Sequence, residues 1–152
     1  YPFANLLALF ENDDLTLVNL EGVLSDRKAD KADKAYAFIG APEYAQILTA
    51  GSVECVSLAN NHALDYGQAG KRATIAALDA CNVAYCDDTY VTVLEKDGVR
   101  VGFTASSLRL NDDAFLAQSE ALKEVGCAAV VHVMHMGHRH PQKPPPPIHI
   151  FS

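Results

Sequence analysis

The sequence has no long hydrophobic run, few positive charges and no C-x-x-C cysteine pair. No apolar stretch reaches the roughly 18 residues of a membrane-spanning helix, so no such helix is predicted. Its 12 Lys and Arg against 19 Asp and Glu give a formal net charge of −7, which argues against binding to nucleic acid or to anionic lipid, because both require a basic surface. The length of 152 residues and the 49 % hydrophobic content are typical of one globular domain or part of a larger one. The chain also lacks a recognisable signal peptide, and because Tyr1 is not a natural start, we interpret the chain as cut from a longer one.

The four cysteines form no C-x-x-C pair, so the sequence carries no zinc-ribbon or thioredoxin-type spacing. Cys55 and Cys127 lie in or beside apolar runs and are predicted to be small core residues. Cys81 and Cys86 are close enough in sequence for a bridge, but spacing alone does not decide the pairing, and the redox compartment stays open.

The periodicity of apolar residues predicts alternating helices and strands, followed by a hairpin. The hairpin is centred on Asp97-Gly98, a strong two-residue turn signal. This order favours an α/β fold with a mixed sheet or sheets covered by helices. Helices are predicted over residues 2–12, 43–50, 68–81 and 113–125, and strands over residues 15–20, 53–59, 90–94, 99–103 and 128–134.

Polar side chains follow three of the predicted strands at the point where each strand ends. These residues are Glu21, the run Asn60-Asn61-His62 and His135. Because the carboxyl ends of parallel strands meet at one edge, the three groups are expected to converge, and a carboxylate, an amide and an imidazole together suit a divalent metal. The alternative is that Asn60 and Asn61 only form a turn, with His62 and Glu21 exposed.

The same residues carry a family resemblance. Asp14-Leu15-Thr16-Leu17-Val18-Asn19-Leu20-Glu21, Gly40-Ala41-Pro42-Glu43-Tyr44-Ala45, Ser57-Leu58-Ala59-Asn60-Asn61-His62-Ala63-Leu64-Asp65-Tyr66-Gly67 and His135-Met136-Gly137 resemble segments of the CapA capsule-synthesis family. That family is associated with poly-γ-glutamate and has the fold of the calcineurin-like metallophosphoesterases. The resemblance covers about residues 1–140 and implies an incomplete metallophosphoesterase-like αββα sandwich. Residues 141–152 fit the family poorly and are interpreted as a Pro-rich tail, whose origin the sequence leaves open.

The resemblance also implies residue roles. Glu21, Asn61 and His135 are expected to be ligands of divalent metal ions. The complete protein is expected to bind two such ions, with Mn, Zn, Fe or Mg as candidates. His62 is expected to be the catalytic histidine that protonates a leaving oxygen or binds an oxyanion. Asp65 is expected to orient His62, since a carboxylate commonly fixes the tautomer of an imidazole.

The sequence departs from the family pattern at both ends. An Asp on the opening strand is expected before Tyr1, and a closing Gly-His-x-His motif is expected beyond this chain. The segment Gly137-His138-Arg139-His140 matches the Gly-His-x-His pattern. Its position directly after His135, however, favours a variable tail over a displaced motif. With these ligands missing, we expect the isolated chain to bind metal weakly and to lack hydrolytic activity.

Three functions fit these observations. The first is a metal-dependent hydrolase-like protein of capsule or poly-γ-glutamate metabolism that acts on an anionic polymer or a phosphoester. The second is a non-catalytic scaffold, with membrane-bound capsule synthesis subunits as partners. The third is an incomplete α/β domain without activity. For the first two the resemblance implies a cell-envelope, extracytoplasmic setting.

Overall fold

The structure is a computed structural model that describes residues 2–107 and 112–136. Its helices and strands confirm the predicted α/β class, and residues 137–152, with the predicted tail and the Gly137–His140 segment, lie outside the described part. No helix in the described ranges has both the length and the hydrophobicity to cross a bilayer. The strands are β1 (Leu17–Asn19), β2 (Val23–Leu24), β3 (Ile39–Gly40), β4 (Cys55–Ser57), β5 (Ala84–Cys86), β6 (Thr92–Lys96), β7 (Val99–Ser107) and β8 (Ala129–His135); the helices are α1 (Leu7–Phe10), α2 (Gln46–Ala50), α3 (Gly67–Ala80) and α4 (Asp112–Glu124), with a 3-10 turn at Pro42–Ala45 directly before α2.

The strands form two three-stranded sheets and one two-stranded ribbon. The first sheet is parallel, in the order β1-β4-β5, with Asn19 opposite Ser57 and Ser57 opposite Cys86. The second sheet, β6-β7-β8, is mixed, because β6 and β7 form an antiparallel hairpin while β7 and β8 are parallel. Strands β2 and β3 pair in parallel as the ribbon. Two sheets with helices are compatible with an incomplete αββα sandwich.

Two buried clusters show how the layers pack. Between the first sheet and the helices, Leu48, Val56 and Leu78 pack together and are at most 6 % exposed. Between the two sheets lies a second cluster of Ala59, Cys86, Phe103 and Ala105. The first sheet is therefore covered on both faces, as is typical of parallel sheets.

The turns that lead into β4 and β5 have the same backbone conformation. Ser52 and Asn82 both have positive φ, at 54° and 55°, and each follows a helix. The next residue then donates its N–H back into that helix, Val53 to Leu48 O and Val83 to Leu78 O, both at 3.0 Å. This pattern is the Schellman-type end of a helix, and here it delivers two neighbouring strands in the same direction.

Several predicted elements differ in extent. The first helix is limited to Leu7–Phe10 because residues 2–6 form turns, and the strands at 15–20 and 53–59 shorten to three residues each. Strands β2, β3 and β5, of two to three residues, were not predicted, since such short segments show no periodicity. The hairpin prediction is confirmed: Asp97 and Gly98 have φ of 51° and 79°, as a two-residue turn of this kind requires.

All four cysteines are free, so the bridge considered between Cys81 and Cys86 is not formed. The predictions of buried Cys55 and Cys127 are confirmed. Cys55 and Cys86 lie on the paired strands β4 and β5, and both are fully buried. A hydrogen bond with the Cys86 thiol, together with burial, raises the pKa of Cys55 far above its ordinary value.

Candidate functional site

The candidate site forms where β1, β4 and β8 end. Glu21 lies two residues beyond β1, Asn61 and His62 lie in the turn after β4, and His135 is the last residue of β8. Strands β1 and β4 are parallel neighbours, so their carboxyl ends share one rim as the sequence predicts. Strand β8 belongs to the other sheet, so convergence comes from the packing of two sheets and not from one continuous edge.

The side chains of these residues approach one another closely. His135 Nε2 lies 2.7 Å from Asn61 Oδ1, a hydrogen-bond distance. Glu21 Oε1 lies 3.7 Å from His62 Nε2 and 4.0 Å from His135 Nε2. The structure therefore brings together all four residues that the sequence placed at strand ends.

Asn60 has the structural role that the alternative interpretation gave to this turn. Its amide donates to Asn19 Oδ1 at 3.0 Å and to Leu20 O at 2.9 Å. Its Oδ1 accepts the backbone N–H of His62 at 3.0 Å. Asn60 thus ties the turn after β4 to the end of β1, which leaves the side chains of Asn61 and His62 to face the rim.

His62 is oriented by Asp65. The His62 ring is 8 % exposed and its Nδ1 lies 2.8 Å from Asp65 Oδ2. Asp65 is 1 % exposed; burial by itself would raise the pKa of its carboxyl group, but hydrogen bonds from Lys34, His62 and the Phe38 N–H outweigh burial and lower the pKa. An ionised carboxylate only accepts hydrogen bonds, so the proton of His62 lies on Nδ1, and in the neutral ring Nε2 presents a lone pair towards Glu21.

Residues 30–38, which we call the clasp, complete the surroundings of this pair. Lys34 forms an ion pair with Asp65 Oδ1, and the Phe38 N–H donates to Asp65 Oδ2 at 2.6 Å. The Phe38 ring stacks on His62 with centroids 4.2 Å apart. No sequence motif marks Lys34 or Phe38, and the alternating acids and bases at residues 26–34 are typical of a solvated surface.

The donor chemistry of the rim fits a divalent cation. Glu21 Oε1 and Asn61 Oδ1 are oxygen donors that lie near the imidazole Nε2 atoms. An amide oxygen only accepts, so His135 Nε2–H donates to Asn61 Oδ1 as the site stands, and Nε2 would bind an ion only after losing that proton. Ligands at about 2.1 Å from one ion lie about 3 to 3.5 Å apart, and the observed separations of 2.7 and 4.0 Å bracket that range. Within residues 2–107 and 112–136, no group of three His, Cys, Asp or Glu side chains is close enough to hold a metal ion, so the candidate set depends on the amide of Asn61.

A cavity of about 730 Å³ lies elsewhere, before the amino ends of β4 and β5. It is lined by none of the candidate site residues. Glu54 and Asp79 give it an acidic character, and Tyr85 and Tyr90 form an aromatic wall. The candidate chemistry is therefore at an open rim rather than in this cavity.

Comparisons with known proteins agree with the resemblance drawn from the motifs. The sequence pattern of the family described as bacterial capsule synthesis protein PGA_cap matches residues 1–151. The capsule biosynthesis protein CapA of Bacillus anthracis is 29 % identical, over 96 % of this chain and 43 % of that protein. Probable polyglutamine synthesis accessory proteins of Mycobacterium tuberculosis strains CDC 1551 and H37Rv are each 33 % identical, over 55 % of this chain and 22 % of those proteins.

The chain thus spans less than half the length of these curated relatives. The family match nevertheless covers nearly every residue, including the turn after β4 and the strand ends that build the rim. The chain belongs to the bacterial capsule synthesis protein PGA_cap family.

Proposed function

We propose that the protein is a CapA-like component of capsule or poly-γ-glutamate biosynthesis with a metal-dependent hydrolytic site at the rim formed by β1, β4 and β8. The observation that carries the proposal is the convergence of Glu21, Asn61 and His135 beside His62, whose tautomer Asp65 fixes. The relatives named for capsule and polyglutamine synthesis support the biological setting.

Glu21, Asn61 and His135 would hold a divalent ion, because each presents an oxygen or nitrogen donor at the shared rim. Glu21 is oriented for this by Asn19, whose amide donates to Oε2 at 3.2 Å and leaves Oε1 facing the histidines. A bound ion of this kind lowers the pKa of a coordinated water and polarises a phosphoryl or amide oxygen.

His62 would handle the proton of the leaving group. Its Nδ1–H is held by Asp65, so the Nε2 atom at the rim is the one that would take up a proton from water and pass it to a departing oxygen or nitrogen. The Phe38 ring and the buried position of His62 exclude water from one side of the imidazole. Substrates that fit are anionic, either a phosphoester or a γ-glutamyl polymer, since the positive charge of a bound divalent ion would attract them.

The test is hydrolysis of a chromogenic phosphodiester and of poly-γ-glutamate by the protein at its full natural length, with Mn²⁺ or Zn²⁺ added. We expect the His62→Ala variant to lose about 10²- to 10⁴-fold in kcat. His132→Gln is the matched control, because this histidine lies on β8, only three residues from His135, and bonds Thr104 and Ser106 instead of the rim. Equal activity in wild type and His62→Ala would contradict the proposal.

The scaffold function makes a different prediction for the same variant. If the protein only organises membrane-bound capsule synthesis subunits, polymer formation in cells survives His62→Ala and fails when an exposed surface is altered. Altering two exposed apolar residues of β8, Val131 and Met134, which lie on opposite faces of the strand, provides that second variant. A cell-envelope, extracytoplasmic site of action belongs to both functions and is tested by cell fractionation.

A further inference from the structure

We propose that Lys34 is a positioning residue for the His62–Asp65 pair, and that it couples this pair to the candidate metal ligand Asn61. The inference rests on the proposed function for its catalytic consequence, whereas the positioning itself is a property of the folded chain. It concerns a lysine in the clasp that motif and spacing did not single out.

One ammonium group makes both contacts. Lys34 Nζ forms an ion pair with Asp65 Oδ1 and donates to Asn61 O at 2.9 Å. The lysine side chain is 31 % exposed, whereas the Asp65 side chain is fully buried. The charge of Asp65 is thus compensated from the clasp, and the same contact fixes the backbone of the residue whose amide oxygen faces His135.

The two carboxylate oxygens of Asp65 have separate partners. Oδ1 faces the Lys34 ammonium, while Oδ2 accepts from the Phe38 N–H at 2.6 Å and from His62 Nδ1 at 2.8 Å. The Asp65 backbone is held as well, because its carbonyl accepts the Ala32 N–H at 2.7 Å. Without the ammonium on Oδ1, the carboxylate could rotate away from His62 Nδ1, which would weaken the hydrogen bond that defines the His62 tautomer.

The clasp also contacts the imidazole directly. The Phe38 ring stacks on His62 at an interplanar angle of 28°. Phe38 therefore holds the position of the His62 ring, whereas Asp65, held by Lys34, determines which ring nitrogen carries the proton. Outer residues that orient a catalytic or ligating imidazole typically change activity by about 10- to 100-fold when removed.

The measurement is the tautomer of His62 in metal-free protein, read from long-range ¹H–¹⁵N correlations after ¹⁵N-histidine labelling, at about pH 8, well above the ordinary histidine pKa of about 6.5. The signal is assigned by its loss in His62→Gln. Wild type is expected to show the Nδ1–H tautomer alone. Lys34→Met is expected to show a mixture of both tautomers, and Lys34→Arg to restore the single one.

Lys71→Met is the matched control. Lys71 also pairs with a fully buried aspartate, Asp87, at a side-chain exposure of 20 %, but among residues 2–107 and 112–136 no histidine is hydrogen-bonded to that pair. This variant removes a comparable ion pair and is expected to leave the His62 signal unchanged. If Lys34→Met does not fold, Lys34→Gln, which keeps a neutral donor, is expected to show the mixed tautomers.

A single, wild-type tautomer in folded Lys34→Met, or in Lys34→Gln where Lys34→Met does not fold, would overturn the proposal. In the hydrolysis assay, Lys34→Met is expected to lose about 10- to 100-fold in kcat with little change in KM. A tautomer mixture together with an inactive wild type would refute the hydrolytic function but leave the positioning role standing. These outcomes separate the two proposals.

Discussion

Two buried aspartates follow the neighbouring strands β4 and β5, and they differ in what their second oxygen binds. Asp65 and Asp87 are 1 % and 0 % exposed, and each pairs with a lysine. Asp87 Oδ1 accepts the backbone N–H groups of Thr89 and Tyr90 at 2.6 and 2.7 Å, so this pair closes a turn. Asp65 Oδ2 accepts one backbone N–H, that of Phe38, and also the Nδ1–H of the His62 imidazole. A buried lysine–aspartate ion pair thus stabilises a backbone turn after β5, whereas after β4 a similar pair also orients a histidine side chain.

The lysines also differ in origin. Lys71 lies on α3, a helix of 14 residues, whereas Lys34 lies in the clasp, which has no helix or strand before β3. The turn after β5 is therefore held by regular structure. The site after β4 depends on how an irregular segment of about ten residues is placed, since its three contacts to Asp65 come from Ala32, Lys34 and Phe38.

The largest expected difference is catalytic. Asp65→Asn should lower kcat for hydrolysis by about 10²- to 10⁴-fold, because a neutral amide no longer enforces the Nδ1–H tautomer of His62. Asp87→Asn should stay within about threefold of wild type, since Asp87 contacts no residue of the rim. Similar losses in both variants would show that the two aspartates act through folding alone.

The second comparison concerns stability: we expect the loss of either lysine to lower the free energy of unfolding by the same amount. Lys34→Met and Lys71→Met each leave a buried carboxylate without its counter-ion, which typically costs about 3 kcal/mol. Urea denaturation of both variants measures the free energy of unfolding. A difference of more than about 1 kcal/mol between them would mean that the pairs are not equivalent structural units.

A smaller effect is expected for the stacked ring. Phe38→Leu keeps the backbone N–H that donates to Asp65 but removes the aromatic contact with His62, which should lower the free energy of unfolding by about 1 kcal/mol. Tyr90→Leu is the counterpart beside Asp87, because Tyr90 also gives its N–H to the aspartate and packs a ring on Tyr85. If the His62 tautomer shifts in Phe38→Leu, stacking and not only Lys34 positions the imidazole.

The smallest effect is in the acid dependence of stability. The pKa of Asp65 is lower in the folded protein than its ordinary value of 3.8, so ionised Asp65 stabilises the fold above that pH. That stabilisation is lost as the pH falls below 3.8 through the lower folded pKa. Thermal unfolding between about pH 7 and pH 2 should therefore show a smaller loss for Asp65→Asn than for wild type. Identical acid profiles would contradict the assignment of this charge to stability.

The sequence was sufficient to predict the alternation of helices and strands and the gathering of Glu21, Asn61, His62 and His135. Apolar runs that end abruptly in polar residues are a local signal, and the carboxyl ends of parallel strands then fix the location. It did not reveal that β8 lies in a separate sheet, because sheet membership depends on pairing between distant segments. It also missed β2 and β3, which are two residues long and exist only because they pair.

The contacts of the clasp could not be predicted from the sequence for a different reason. Lys34 stands among Asp30, Lys31 and Asp33, and nothing in this alternation distinguishes the lysine that meets a buried carboxylate from one that meets water. The partner is selected by tertiary packing after β4 and its turn have formed. Positions of this kind are found from the contacts of the candidate site residues in the structure and not from the pattern of the segment itself.

The reactivity of the buried thiols of Cys55 and Cys86 can report how often β4 and β5 separate. They lie on the two strands whose ends carry Asp65 and Asp87, and neither has any accessible surface. A thiol-directed reagent can modify them only when β4 and β5 separate, whereas the partly exposed Cys81 can react without such separation. The ratio of the slow to the fast labelling rate would therefore measure how often the sheet beneath the rim comes apart, without any probe attached to the rim itself.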